Sequence, residues 1–135
     1  MNLSAHRPAH RVLPSLLLAT AATCAAADVP ALAPAYEGDW KNLEGPANGT
    51  MRINLTVAAD GTVSGTYIRD ARNCSTDGAP LAGRLSGNIL QFTVDLGSDF
   101  RCKGTAWSFT LMPDGTLNGT GNSAFSLAAT LRPAK

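Results

Sequence analysis

The sequence predicts an all-β fold, an eight-stranded antiparallel up-and-down β-barrel forming a single domain, and three observations carry that expectation. From Tyr36 onward apolar residues recur at every second position, the period of a strand with one buried face. Gly-containing turns such as Ala59-Asp60-Gly61 and Pro113-Asp114-Gly115 interrupt the alternation at short intervals. No apolar stripe of 3.6-residue period runs long enough to make a helix.

Taken in order, the first strand lies around Gly38–Leu43. The second alternates Met51, Ile53, Leu55 and Val57 with Arg52, Asn54 and Thr56. Val63, Gly65 and Tyr67 form the inward set of the third, and Leu81, Gly83 and Leu85 that of the fourth. Leu90, Phe92, Val94 and Leu96 define the fifth, and Thr105, Trp107, Phe109 and Leu111 the sixth. Leu117, Gly119 and Gly121 make a weaker seventh, and Phe125, Leu127, Ala129 and Leu131 close the chain. Tight turns between successive strands favour a closed barrel, because closure removes exposed sheet edges. A seven-stranded sandwich is the competing architecture, disfavoured because its crossovers need longer loops. A barrel of eight strands is wide enough to hold one small ligand. The longer connections, Glu44–Thr50 and Asp70–Pro80, would then carry the functional loops.

The expected domain begins well inside the chain. His6, Arg7, His10 and Arg11 precede the apolar run Val12–Ala22, and Ala25-Ala26-Ala27 reads as a small-residue cleavage site before Asp28. Residues 1–27 therefore read as a secretory signal peptide, too short to span a membrane. Cys24 behind the apolar run leaves a lipoprotein reading open, although Ala21-Ala22-Thr23 is a poor lipidation signal. Residues 28–35 are expected to be a flexible lead-in and 36–135 the barrel. The expected location is secreted or periplasmic.

Removing such a leader narrows the available chemistry. Both histidines leave with it, and with them His general bases, His-activated nucleophiles and His-containing metal sites. No enzymatic activity and no cofactor are expected. Cys74 and Cys102 remain in an oxidising compartment, where an even pair reads as a disulfide. Its loop of roughly 28 residues would contribute about 3–4 kcal/mol on the loop-entropy account. Without Arg7 and Arg11 the 11 basic residues become 9 against 10 acidic ones, with no basic run, so nucleic acid is not an expected partner. Asp95 and Asp99 could suggest a carboxylate pair, but Asp95 alternates with Val94 and Leu96 and so faces solvent. The sequons at Asn54, Asn73 and Asn118 carry little weight beside a leader of bacterial character.

With the strands placed, several strings between Gly38 and Leu111 resemble the avidin family of biotin-binding barrels. They are Gly38-x-Trp40-x-Asn42 on the first strand, Gly61 to Tyr67 leading into the third, and Leu81-x-Gly83-Arg84 on the fourth. Phe92-Thr93-Val94 and Thr105-x-Trp107 follow. Cys74 and Cys102 sit where dimeric bacterial avidins carry a loop-to-loop disulfide. The resemblance implies a pocket for a fused ureido ring, biotin or a biotin-like molecule. In it Asn42 and Tyr67 would donate to the ureido oxygen, Thr105 would touch the ring sulfur and Trp107 would form a wall. The family's third donor has no direct match; Thr50 or Asn48 could supply it. The resemblance also implies a homo-dimer or homo-tetramer.

The departures are equally specific. Arg69 stands two residues beyond Tyr67, where the family has a small polar residue facing the ureido group. Leu96 replaces an aromatic, and the family's seventh-strand Trp and last-strand Asp have no match. Each matched residue also has an ordinary structural role: Trp40 and Trp107 as core, Tyr67 with a hydroxyl at the rim, Thr105 as a β-favouring residue. Asn42 is the most telling, since an inward amide costs a few kcal/mol unless it finds partners. Two expectations follow: a biotin-type binder, or an avidin-shaped scaffold that acts on another protein through its surface, as an inhibitor can.

Overall fold

The computed structural model describes residues 31–70, 76–95 and 105–135, the side chains of residues 76 and 77 excepted. Eight strands follow one another: β1 (Ala35–Asn42), β2 (Asn48–Val57), β3 (Thr62–Arg69), β4 (Thr76–Ser86), β5 (Ile89–Val94), β6 (Thr105–Leu111), β7 (Leu117–Asn122) and β8 (Ser126–Pro133). Each pairs antiparallel with its neighbours, and β1 pairs with β8 to close the barrel. The sandwich alternative is thereby excluded. Among the described residues there is no helix.

Period-two alternation decides which side chains fill the interior. Tyr36 and Trp40 on β1, Met51, Ile53 and Leu55 on β2, and Val63 and Tyr67 on β3 are buried. Leu81, Leu90, Phe92, Val94, Trp107, Phe109, Leu111, Leu117, Leu127, Ala129 and Leu131 complete the core. Each large apolar side chain withdrawn from water contributes about 1.5–3 kcal/mol. Phe125 was expected on the inward face of the last strand and is instead 52% exposed. Asn122 and Ser126 are the last β7–β8 partners, so Phe125 falls in the turn, where strand alternation no longer applies.

Two turns share one construction. Asp60 Oδ1 accepts the Thr62 N–H at 2.9 Å and Asp114 Oδ1 accepts the Thr116 N–H at 3.0 Å. The Thr62 N–H lowers the Asp60 carboxyl below its ordinary value, and the Thr116 hydroxyl, which donates to Asp114 Oδ1 at 2.7 Å, lowers that of Asp114 together with the Thr116 N–H. The residue after each Asp has φ near +87°, at 88° for Gly61 and 86° for Gly115, a conformation that glycine adopts without steric cost. Asp-Gly was therefore a sound turn signal in the sequence.

Strand direction sorts the connections into two ends. The β2–β3, β4–β5 and β6–β7 turns lie at one end, and the β1–β2, β3–β4, β5–β6 and β7–β8 connections at the other, here called the loop end. The described part of the expected lead-in packs at the turn end. Leu32 and Ala33 are partly buried against the core, the Ala33 N–H donates to the Tyr36 hydroxyl at 2.8 Å, and the Leu55 N–H donates to the Pro34 carbonyl at 2.8 Å. The expected signal peptide, Cys74, Cys102 and Leu96 lie outside the described residues.

Candidate functional site

The loop end gathers the polar interior. On β3 the inward face runs Val63, Gly65, Tyr67, Arg69, and on β6 it runs Thr105, Trp107, Phe109, Leu111. Tyr67 and Trp107 meet across the barrel, where the Trp107 Nε1–H donates to the Tyr67 hydroxyl at 3.1 Å. Both are fully or almost fully buried. Arg69 and Thr105 then stand one inward step nearer the loops on these two walls.

Aromatic packing fixes this level. Trp107 stacks on Phe109 with centroids 5.2 Å apart and planes 13° apart. Phe109 stacks on Phe92 at 6.0 Å, and Phe92 meets Tyr67 edge-on at 6.4 Å. Such pairs add about 0.5–1.5 kcal/mol beyond area burial. The glycines of β7 make room: a Cβ at Gly121 would lie 2.6 Å from the Trp107 ring, and one at Gly119 2.6 Å from Phe109 Cδ1.

Arg69 and Thr105 are the buried polar side chains among the described residues that do not belong to the aromatic set. The Arg69 guanidinium carbon lies 5.1 Å from the Trp40 ring centroid, within cation–π range. It also hydrogen-bonds the Tyr67 hydroxyl. Burial raises the Tyr67 phenol above its ordinary value, and the Arg69 charge and the Trp107 and Arg69 hydrogen bonds offset part of that rise. The phenol is neutral at pH 7 and keeps its proton. Thr105 is 1% exposed, and its Oγ1 has no hydrogen-bond partner among the described residues. A buried hydroxyl without a partner costs about 1–3 kcal/mol, a cost that a ligand atom bonded to it would offset.

The remaining expected residues are placed differently. Asn42 is half-buried at the loop end, and its Oδ1 accepts the Glu44 N–H at 2.8 Å. Glu44 Oε2 accepts the Ser126 N–H at 2.6 Å and Ser126 O accepts the Leu43 N–H at 2.9 Å, tying two mouth connections together. Asn42 thus spends its carbonyl on its own loop. Thr50 is exposed on the outer wall opposite Asp39, and Asn48 is exposed beside it, so neither joins the interior group. Trp40 is core, as its alternative reading had it, and its Nε1–H donates to the Asp70 carbonyl at 3.0 Å. Arg69 was absent from the expected site although the β3 alternation already put it on the Tyr67 face. The β3–β4 register shifts between Tyr67 and Ile68, with Gly78 at φ 84° as the extra residue.

Two concavities among the described residues lie outside the barrel. One of about 1060 Å³ is lined by Asp39, Lys41, Thr50, Thr130 and Arg132, and one of about 400 Å³ by Arg84, Gln91, Thr93, Ser108 and Asn122. Both are lined mainly by outward residues of mixed character, with Trp40 and Ala129 also bordering the first and Phe92 and Trp107 the second. The interior loop end is the better site, because there buried polar groups converge on apolar walls. No group of three potential metal ligands occurs among the described residues.

Tyr67→Phe tests the buried hydrogen bond directly. Removing the hydroxyl leaves the Trp107 Nε1–H without its acceptor, and the expected cost is about 1–3 kcal/mol in denaturant unfolding. An unchanged unfolding midpoint would mean that the indole finds another acceptor at no cost.

The chain is a closed antiparallel barrel of eight strands, and it shares that fold with avidin-type proteins. It resembles rhizavidin in complex with biotin at 19% identity and a TM-score of 0.50, over 73% of this chain and 93% of that one. Rhizavidin in another structure matches at 22% identity and 0.47, covering 73% and 84%. Short afifavidin in complex with biotin matches at 26% and 0.45, covering 79% and 94%. No protein-family model matches the chain, and no curated protein sequence does.

Proposed function

We propose that this chain is an exported, non-catalytic barrel that holds biotin or a biotin-like small molecule at its loop end. The observation that carries this reading is the buried group of Tyr67, Trp107 and Thr105, whose Oγ1 has no partner among the described residues. A ring laid on the indole gains apolar contact, and the hydroxyls give its polar atoms partners. Binding needs no bond-making group.

Thermal unfolding with and without excess free biotin tests this. A ligand that binds the folded state alone stabilises it by RT ln(1 + [L]/Kd), about 2.7 kcal/mol at a hundredfold excess over Kd. A rise of several degrees is expected at millimolar biotin, and no rise would remove biotin as the ligand.

One observation favours a second reading, a protein-binding scaffold. Leu43 and Phe125 are each 52% exposed, and the Leu43–Ser126 hydrogen bond brings their loops together at the rim. Under that reading Phe125→Ser weakens binding to a protein partner and leaves any biotin response intact.

A further inference from the structure

Two connections at the loop end are joined by a side chain. Past β1 the main chain turns back on itself, where the Asn42 N–H donates to the Ala47 carbonyl at 2.8 Å. One more main-chain bond then links β1 to the β8 side, from the Leu43 N–H to the Ser126 carbonyl at 2.9 Å. The Ser126 N–H meets a carboxylate instead: Glu44 Oε2 accepts it at 2.6 Å, across 82 positions of sequence. Glu44 is itself held, because its own N–H donates to Asn42 Oδ1 at 2.8 Å. Residues 43 and 44 thus engage both backbone polar groups of Ser126. Leu43 and Phe125, which flank this bridge, are each 52% exposed, so apolar burial does little of the holding.

From this bridge we infer that Glu44 is a positioning residue of the ligand site: its carboxylate pins the β7–β8 turn to the β1–β2 connection and slows the escape of a bound ligand through the mouth. The inference rests on the reading of the loop end as the ligand site. Asn42 and Leu127 are partners across β1 and β8, and the bridge lies one step beyond them at the rim. A turn held there fixes the width of the mouth beside the inward residues of these two strands. Without the carboxylate, the Leu43 bond alone ties the connections. A carboxylate that accepts a main-chain N–H makes a charge-assisted bond, yet Glu44 and Ser126 are both exposed and water competes for each. Folding depends little on it, because seven residue pairs between β1 and β8 close the barrel with or without Glu44. The effect falls on ligand exchange.

Three variants separate the bond from the charge. Glu44→Ala removes the acceptor, Glu44→Asp keeps the charge but shortens its reach, and Glu44→Gln keeps the reach and an acceptor oxygen without the charge. Glu37→Ala is the control, an exposed carboxylate bonded to Arg52 on the outer wall. The full chain and each variant are loaded with fluorescein-labelled biotin and chased with excess free biotin, which gives koff. NMR follows amide hydrogen exchange at Ser126 in the ligand-free proteins. The expected result is koff raised roughly three- to tenfold in Glu44→Ala and Glu44→Asp, the factor that one hydrogen bond of ordinary net strength allows. Ser126 exchange accelerates in the same two variants, while the ligand-free melting temperature moves by a few degrees at most. In Glu44→Gln and Glu37→Ala both rates stay at the wild-type value. Unchanged biotin release or unchanged Ser126 exchange in Glu44→Ala overturns the inference. So does release as fast in Glu44→Gln as in Glu44→Ala, which would trace the effect to charge alone. Those results leave the site reading standing. A wild-type chain that binds no biotin removes that reading and the inference with it.

Discussion

Phe109→Ala is expected to lower the melting temperature by roughly 15–30 °C, the equivalent of about 3–5 kcal/mol for a phenylalanine removed from a packed interior. Phe109 is completely buried and stacks on both Trp107 and Phe92, so its ring joins the walls from β5 and β6. The β7 backbone opposite is glycine, with Gly119 directly beside Phe109. Gly119 has no side chain that could move in to close the space. The cavity therefore persists, which puts the cost at the upper end of the range. Differential scanning calorimetry on the variant measures it. A drop of only a few degrees would show that the aromatic stack relaxes into the gap, and the rigidity claimed for the site level would go with it.

Gly121→Ala should cost about 1–3 kcal/mol and also weaken ligand binding, two effects from one methyl group. Its Cβ would stand 2.6–2.8 Å from three atoms of the Trp107 indole, closer than any real contact permits. The indole is no flexible side-chain end that could swing aside. It is held by the Tyr67 hydroxyl on one side and by Phe109 on its face. Overpacking of this kind ordinarily costs about 1–3 kcal/mol, paid here by displacing Trp107 from Tyr67. Calorimetry combined with indole fluorescence separates the two outcomes. Lower stability with a shifted emission maximum is the expected pair. Unchanged stability and emission would mean that β7 moves outward and that Gly121 does not position the site.

Much of the fold was legible because a strand's side-chain period is two and the core lies on one side only. Met51, Ile53 and Leu55, or Trp107, Phe109 and Leu111, announce an inward face without any tertiary information. The same alternation that buries Met51 turns Thr50 outward, so the expected third donor was at odds with the pattern of its own strand. It also turns Arg69 inward. A charged residue on an inward face is unusual enough to count as a signal, yet its importance depends on what lies opposite. Phe125 was misplaced because alternation was carried past the last paired residue into a turn.

The sequence by itself determined the strand count, the antiparallel order, the Asp-Gly turns and the inward face of each strand. All of these follow from the local geometry of a pleated chain and from neighbouring residues. The tertiary structure alone decided that Trp107 Nε1 reaches the Tyr67 hydroxyl, that the Arg69 guanidinium lies over Trp40, that Thr105 is buried with no partner among the described residues, and that Asn42 binds its own loop. Most of these facts depend on how far each wall is staggered when the barrel closes, a relation between residues up to 40 positions apart. Even the Asn42 bond, two residues long, depends on a mouth connection that Ser126 fixes from the far end of the chain.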